Sequence, residues 1–186
     1  MPEYIRSGGH HPLKNNFIMM KRLILNPYDK FEEHKCFACS KHNLIGLQMS
    51  FYEEGDFVVS EWQPRPEFQG YHNVLHGGIH ATLMDEISSW CIQIKLKSSG
   101  LTSRLETKYK HPVFCDKGKI KLKAKIDDFY KNVAKVHVQL FDSEDQLCSE
   151  TVAKFIVFPL EIAKKNFHYP EYESFFKQLP DGNDSV

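Results

Sequence analysis

The sequence carries no excess of either charge: 24 Lys and Arg stand against 24 Asp and Glu in 186 residues. A nucleic-acid binder usually shows a basic surplus, so no nucleic-acid partner is expected. Long apolar runs are missing too. A membrane helix needs about 20 such residues, and the longest stretches here, Phe17 to Met20 and Phe155 to Leu160, fall far short. Met1 to Asn16 lacks the apolar core of a signal peptide. The cysteines are Cys36, Cys39, Cys91, Cys115 and Cys148, an odd number that does not read as a disulfide framework. No serine sits in a Gly-x-Ser-x-Gly elbow, so the α/β-hydrolase route is unsupported. These absences point to a cytoplasmic protein without a membrane partner.

What is present is apolar material for one core: 41% hydrophobic residues, 14 Phe and 8 Tyr. Lys14 to Leu25 reads as a short helix ended by Asn26-Pro27. Ile45, Leu47, Met49 and Phe51 alternate as in a half-buried strand, and Glu54-Gly55-Asp56 turns into a second strand, Phe57 to Trp62. Ile79 to about Lys97 is the one long helical candidate. Four β-like stretches follow, at about 102–110, 118–129, 133–142 and 146–158. In the second, Ile120, Leu122, Ala124 and Ile126 alternate with Lys119, Lys121, Lys123 and Lys125. Two strands, a helix and four strands predict an α+β fold with a mostly antiparallel sheet. The division expected is an N-terminal extension over 1–35, a domain over 36–160 and an aromatic-rich extension over 161–186. That tail should pack to about Leu179 and fray over its last six residues.

Rotating 100° per residue puts Ile79, Leu83, Ile87, Trp90 and Ile94 on one stripe of the long helix. Asp85 lies nearly opposite, beside Gly78, Ala81, Ser88, Ser89 and Ile92. The helix opens with His76-Gly77-Gly78, where paired glycines admit close approach and the free N–H groups of a first turn can hold developing negative charge. A carboxylate two turns further on could work beside such an oxyanion site.

The run from Leu75 through His76-Gly77-Gly78 to Asp85-Glu86-Ile87-Ser88 resembles hotdog-fold acyl-CoA thioesterases of the PaaI-like type, with the acid nine residues after the histidine. The resemblance spans about Cys36 to Pro159. It implies a long helix wrapped by an antiparallel sheet, and hydrolysis of acyl-CoA thioesters without a cofactor. It also implies a homo-oligomer, dimer or tetramer, with the active site across a subunit interface. Asp85 would be general base or nucleophile, and Gly77 would donate its N–H to the thioester oxygen. His76 would stand at the helix start, with Gly78 beside the substrate. Thr102 matches a hydroxyl that orients water, and Ser89 a hydroxyl position in a more distant group. Relatives often place an Asn or Gln where Gly70 stands here; Gln69 and Asn73 are the nearby substitutes. Two rival readings remain: an acyl-CoA-binding module without turnover, and a hotdog hydratase or dehydratase using His76.

Other features carry simpler readings. His34, Cys36, Cys39 and His42 have zinc-like spacing, but no second Cys-x-x-Cys supports it, and buried or loop thiols with no metal are expected. The same segment, through Asn43 and Gly46-Leu47, looks like a cysteine-bearing loop of a subset of these thioesterases. The lysines of 119–125 read as a solvated sheet face, with a landing strip for coenzyme A phosphates as the functional alternative. His76 and His80 lack the Glu of a His-Glu-x-x-His zinc motif, and His80 is expected to be partly buried.

Overall fold

The computed structural model describes residues 21–176. Its elements run β1 (Lys21–Ile24), β2 (Phe51–Glu54), β3 (Phe57–Trp62), α1 (Gly77–Lys95), β4 (Gly100–Tyr109), β5 (Ile120–Tyr130), β6 (Val133–Phe141), β7 (Leu147–Val157) and α2 (Leu160–Phe167). The strands form one antiparallel sheet in the order β1-β2-β3-β5-β6-β7-β4. After the helix, β4 is carried to the far edge beside β7, while β5 returns to pair with β3. The sheet thereby wraps α1, which packs across β3 to β7. This is the α+β hotdog arrangement expected above.

Leu83, Ile87, Trp90 and Ile94 are buried on the expected stripe. The opposite side is not open either. Ser88 and Ile92 on Asp85's side are also buried, as are Met84 and Cys91 on the flank of the stripe, and the Ser88 hydroxyl donates to the Met84 carbonyl at 2.7 Å instead of facing a cleft. Trp90 stacks on Phe51 at 4.6 Å and meets Phe175 edge-on at 5.9 Å, which ties the chain's tail to the helix. Ile120, Leu122 and Ala124 point inward, whereas Lys121, Lys123 and Lys125 line the outer face, with Lys123 3.9 Å from Glu54. That agrees with the solvated-face reading of the lysines. Among the described residues no helix is long and apolar enough to cross a membrane.

Two expectations need correction. Lys21–Ile24 is a strand, not part of a helix; it pairs with β2, and ion pairs from Lys21 to Glu61 and Arg22 to Glu53 hold it. This edge strand is fixed by partners far along the chain, which a local apolar period does not register. Residues 14–20, and the tail beyond 176, lie outside the described residues. The alternation from Ile45 to Phe51 is also not a strand until Phe51. Ile45 is 77% exposed, and the Leu47 and Met49 N–H groups go to the Phe37 and Ala38 carbonyls in a folded-back loop. A side chain on Gly46 would collide with the Phe37 carbonyl, so the loop needs glycine there.

These differences are measurable. Phe51→Ala should cost about 3–5 kcal/mol in urea unfolding, because it empties a buried stack on Trp90. Ile45→Ala should change stability by less than about 0.5 kcal/mol. Equal losses at both positions would mean that Ile45 belongs to the core after all.

Candidate active site

His76 starts α1 with extended backbone, and its Nδ1 accepts the Gly78 N–H at 2.9 Å. An acceptor side chain at this position satisfies one of the orphan donors of the first turn. The Gly77 carbonyl accepts the Tyr109 hydroxyl at 2.8 Å. Among the described residues, the Gly77 N–H has no acceptor. The helix start therefore presents one donor, from Gly77, while Gly78 is already engaged.

Two turns on, the Asp85 carboxylate is half-buried and accepts the Thr102 hydroxyl on Oδ1 at 2.8 Å. Thr102 is exposed near the start of the edge strand β4, where the register with β7 shifts between Thr102 and Arg104. Burial pushes the Asp85 carboxyl above the ordinary carboxylate value, and the Thr102 hydrogen bond pulls partly the other way. With Oδ1 held, Oδ2 remains for a water or a substrate.

Ser89, one turn beyond Asp85, lines a cavity of about 440 Å³. Tyr28, Phe31, Trp90 and Phe167 supply its aromatic walls, and Gly100, two residues before Thr102, is at its rim. The cavity is thus lined by the neighbours of the Asp85–Thr102 pair on α1 and at the start of β4, and not by the pair itself. Phe167 and His168 bring the tail into its wall, as the aromatic content of 161–186 suggested.

Gln69 and Asn73 lie in the loop before the helix, bonded to each other. The Gln69 Oε1 accepts the Asn73 N–H at 2.8 Å, and Asn73 has a left-handed backbone with φ of 60°. Within one protomer the hydroxyl held against Asp85 is that of Thr102, and Gln69 is occupied by the loop. His80 is buried against the Ser149 hydroxyl at 2.9 Å. Burial first, and then the charge of His76, push its pKa down to about 4, so it is a neutral core group near pH 7.

Sequence reasoning missed Glu86. Its carboxyl accepts the Trp90 indole N–H at 2.9 Å and the Cys36 thiol at 3.7 Å. Burial pushes its pKa up. The signal was available: at 100° from Asp85, Glu86 borders the apolar stripe instead of the polar side. Tyr109 was missed too, since nothing in a strand pattern marks a hydroxyl that reaches the helix start.

Residues 72–149 match the model of the thioesterase superfamily. An uncharacterized protein of Schizosaccharomyces pombe is 29% identical over 96 residues, 49% of this chain and 54% of that protein. The chain thus matches about half the length of that curated relative. Among solved structures, a thioesterase superfamily protein aligns with TM-score 0.60 and 18% identity over 65% of this chain and 59% of its own. A thioesterase of Haemophilus influenzae gives 0.58 and 19% over 66% and 86%. A hypothetical thioesterase of Streptococcus pneumoniae, solved with coenzyme A, gives 0.53 and 20% over 56% and 83%. The structural likenesses establish the fold, and the family match covers the helix with its His76 cap, Gly77 and Asp85.

The raised pKa has a sign that can be checked. With its folded-state pKa above the unfolded value, Asp85 contributes stability that is present below the unfolded pKa and lost as pH rises through the folded one. Asp85→Asn should therefore hold or raise Tm at pH 8 relative to the native chain, with the difference shrinking toward pH 4. Thr102→Val removes the hydrogen bond to the charged form, so the Asp85 titration followed by carboxyl NMR should move to higher pH. A downward move would place another donor on Asp85.

Proposed function

We propose that this thioesterase-superfamily chain hydrolyses acyl-CoA thioesters, with Asp85 as the general base or nucleophile and the Gly77 N–H as oxyanion donor. The carrying observation is the half-buried Asp85 carboxylate, bonded to Thr102, with its helix neighbours Glu86 and Ser89 lining an aromatic cavity large enough for an acyl group. Either Asp85 takes a proton from a water that attacks the thioester carbonyl, or its Oδ2 attacks directly and water later releases the acid. In both routes the C–S bond breaks, the coenzyme thiolate leaves and takes a proton, and the carbonyl oxygen passes through an oxyanion. Thr102 is a positioning residue that fixes which carboxylate oxygen is free. The acyl chain lies in the cavity between Trp90, Phe167 and Tyr28, with Ser89 at its wall. The coenzyme A bound to the Streptococcus pneumoniae protein supports the choice of thioester.

Helix geometry supports a symmetric dimer. Gly77 and Asp85 are eight residues apart, which is about 12 Å along the axis at 1.5 Å per residue. An oxyanion donor must be about 3 Å from the carbonyl oxygen, and a base must reach the attacking water at a similar distance. One chain's Gly77 and Asp85 are too far apart to serve the same carbonyl. Two antiparallel helices related by a two-fold axis bring Gly77 of one copy opposite Asp85 of the other. The ten-residue edge strand β4 is open for that contact, with Leu101 and Tyr109 each 54% exposed. Gln69 and Asn73, which bond each other and not their own chain's Asp85, would then flank the partner's site.

Thiol release from a panel of short, long and aryl acyl-CoA substrates tests the reading. Asp85→Asn should lower kcat at least about a hundredfold on the best substrate, with little change in KM. Gly77→Pro deletes the oxyanion donor at the first helical position, where proline is tolerated, and His76 already has the extended backbone that precedes a proline. It should fold normally and lose about 10²–10³ in kcat. Binding without thiol release on every substrate would leave an acyl-CoA-binding module instead, and hydration of an enoyl-CoA would select the hydratase.

A further inference from the structure

The cavity holds a second group of chemistry-bearing side chains, which hydrolysis does not use. Cys36 and Cys39 come from the loop before β2, and Glu86 comes from α1. Their Sγ and carboxylate atoms all lie within 4.8 Å of one another, and all three residues line the cavity. No other His, Cys, Asp or Glu among the described residues joins this cluster.

Three features distinguish it from a chance encounter. The Cys39 N–H points at the Cys36 Sγ at 3.4 Å, and the Ser40 N–H turns back to the Cys36 carbonyl at 3.3 Å. A tight Cys-x-x-Cys turn that aims a backbone donor at its first sulfur favours a thiolate there. The loop is also rigid: its Phe37 and Ala38 carbonyls accept the Leu47 and Met49 N–H groups at 2.8 Å, and the Leu47 carbonyl accepts the Trp62 indole N–H at 2.7 Å. Finally, the Glu86 carboxylate is held in place, because the Trp90 indole N–H donates at 2.9 Å to the same Oε1 that faces the Cys36 thiol, as an outer partner orients a metal ligand. Beside them on the cavity wall, the His34 Nε2 is buried without a hydrogen-bond partner.

We propose that Cys36, Cys39 and Glu86 bind a divalent metal of the zinc class in the cavity wall, with the fourth coordination position facing the cavity. Two sulfurs and one carboxylate oxygen suit a borderline-soft cation that prefers tetrahedral geometry. Metal–ligand bonds of about 2.0–2.3 Å require the three atoms to close by roughly an ångström, within reach of side-chain rotation. Binding displaces to solvent the protons that the ligands still carry, so affinity rises with pH. The ligand set differs from the one that spacing alone suggested. The His42 Nε2 is bonded to the Asp29 carbonyl at 2.8 Å and takes no part, and the third ligand comes from the helix 50 residues away from Cys36. The site stands independently of thioester hydrolysis.

The test uses the full chain, reduced and stripped with a chelator, then titrated with Zn²⁺ or Co²⁺ alone. The expected result is one metal per chain by elemental analysis, with release of protons. The Co²⁺ form should show thiolate-to-cobalt charge transfer and the intense visible bands of a tetrahedral site. Removing even an outer partner of a metal site costs 10–100-fold in affinity, so Cys36→Ser, Cys39→Ser and Glu86→Gln should each weaken binding by at least about a hundredfold. His42→Ala and Cys91→Ser should bind as the native chain does. To keep the test independent of how the cysteine variants fold, the native chain's Tm should also rise on adding Zn²⁺ and fall back with chelator. Overturning results are failure of the reduced native chain to take up one equivalent of either metal, a cobalt spectrum without thiolate bands, or full binding retained in Glu86→Gln.

Discussion

Everything in this molecule is arranged around the burial of α1. A 19-residue helix wrapped by the sheet leaves few directions in which a charged side chain can point. Asp85 and Glu86 are neighbours in sequence, yet the 100° turn between them sends one to the open edge strand and the other into the cavity wall. Each is held by donors suited to its side: Thr102 for Asp85, and Trp90 with Cys36 for Glu86. The same burial raises the pKa of both. A carboxylate kept from water by the fold is a stronger base than one on the surface, which is the property the proposed reaction needs at Asp85.

The second constraint is length. The rise of a helix fixes Gly77 and Asp85 about 12 Å apart, and no side-chain rotation shortens the distance from a backbone N–H to that extent. If both act on one carbonyl, a second copy must supply one of them. The open β4 edge, the hydroxyl of Thr102 on that edge and the unengaged Gly77 donor then belong to a single interface. The catalytic proposal and the dimer proposal are in this sense one statement about geometry.

Much of this was legible in the sequence. The long helix, the four strands after it and the inward alternation of Ile120, Leu122 and Ala124 follow from local periodicity, which the chain itself carries. So does the placement of Asp85 away from Leu83, Ile87 and Trp90. Long-range pairing was not legible. β1 is a strand because Glu53 and Glu61 pair with its cations, and Leu47 and Met49 are buried by a loop that folds back on Phe37 and Ala38. The helical period did place Glu86 at the border of the apolar stripe, but not what covers it. A glutamate beside an apolar stripe reads as solvated until the loop carrying Cys36 and Cys39 is seen to cover it.

The most direct measurement is complementation between two inactive variants. Asp85→Asn and Gly77→Pro are purified separately, then mixed under conditions that exchange subunits, and acyl-CoA thiol release is followed. If each site takes Gly77 from one copy and Asp85 from the other, every mixed dimer contains one intact site. At equal amounts half of the dimers are mixed, so activity should recover to about a quarter of the native level. If Gly77 and Asp85 act within one chain, no mixed dimer has an intact site, and the mixture should stay as inactive as its parts.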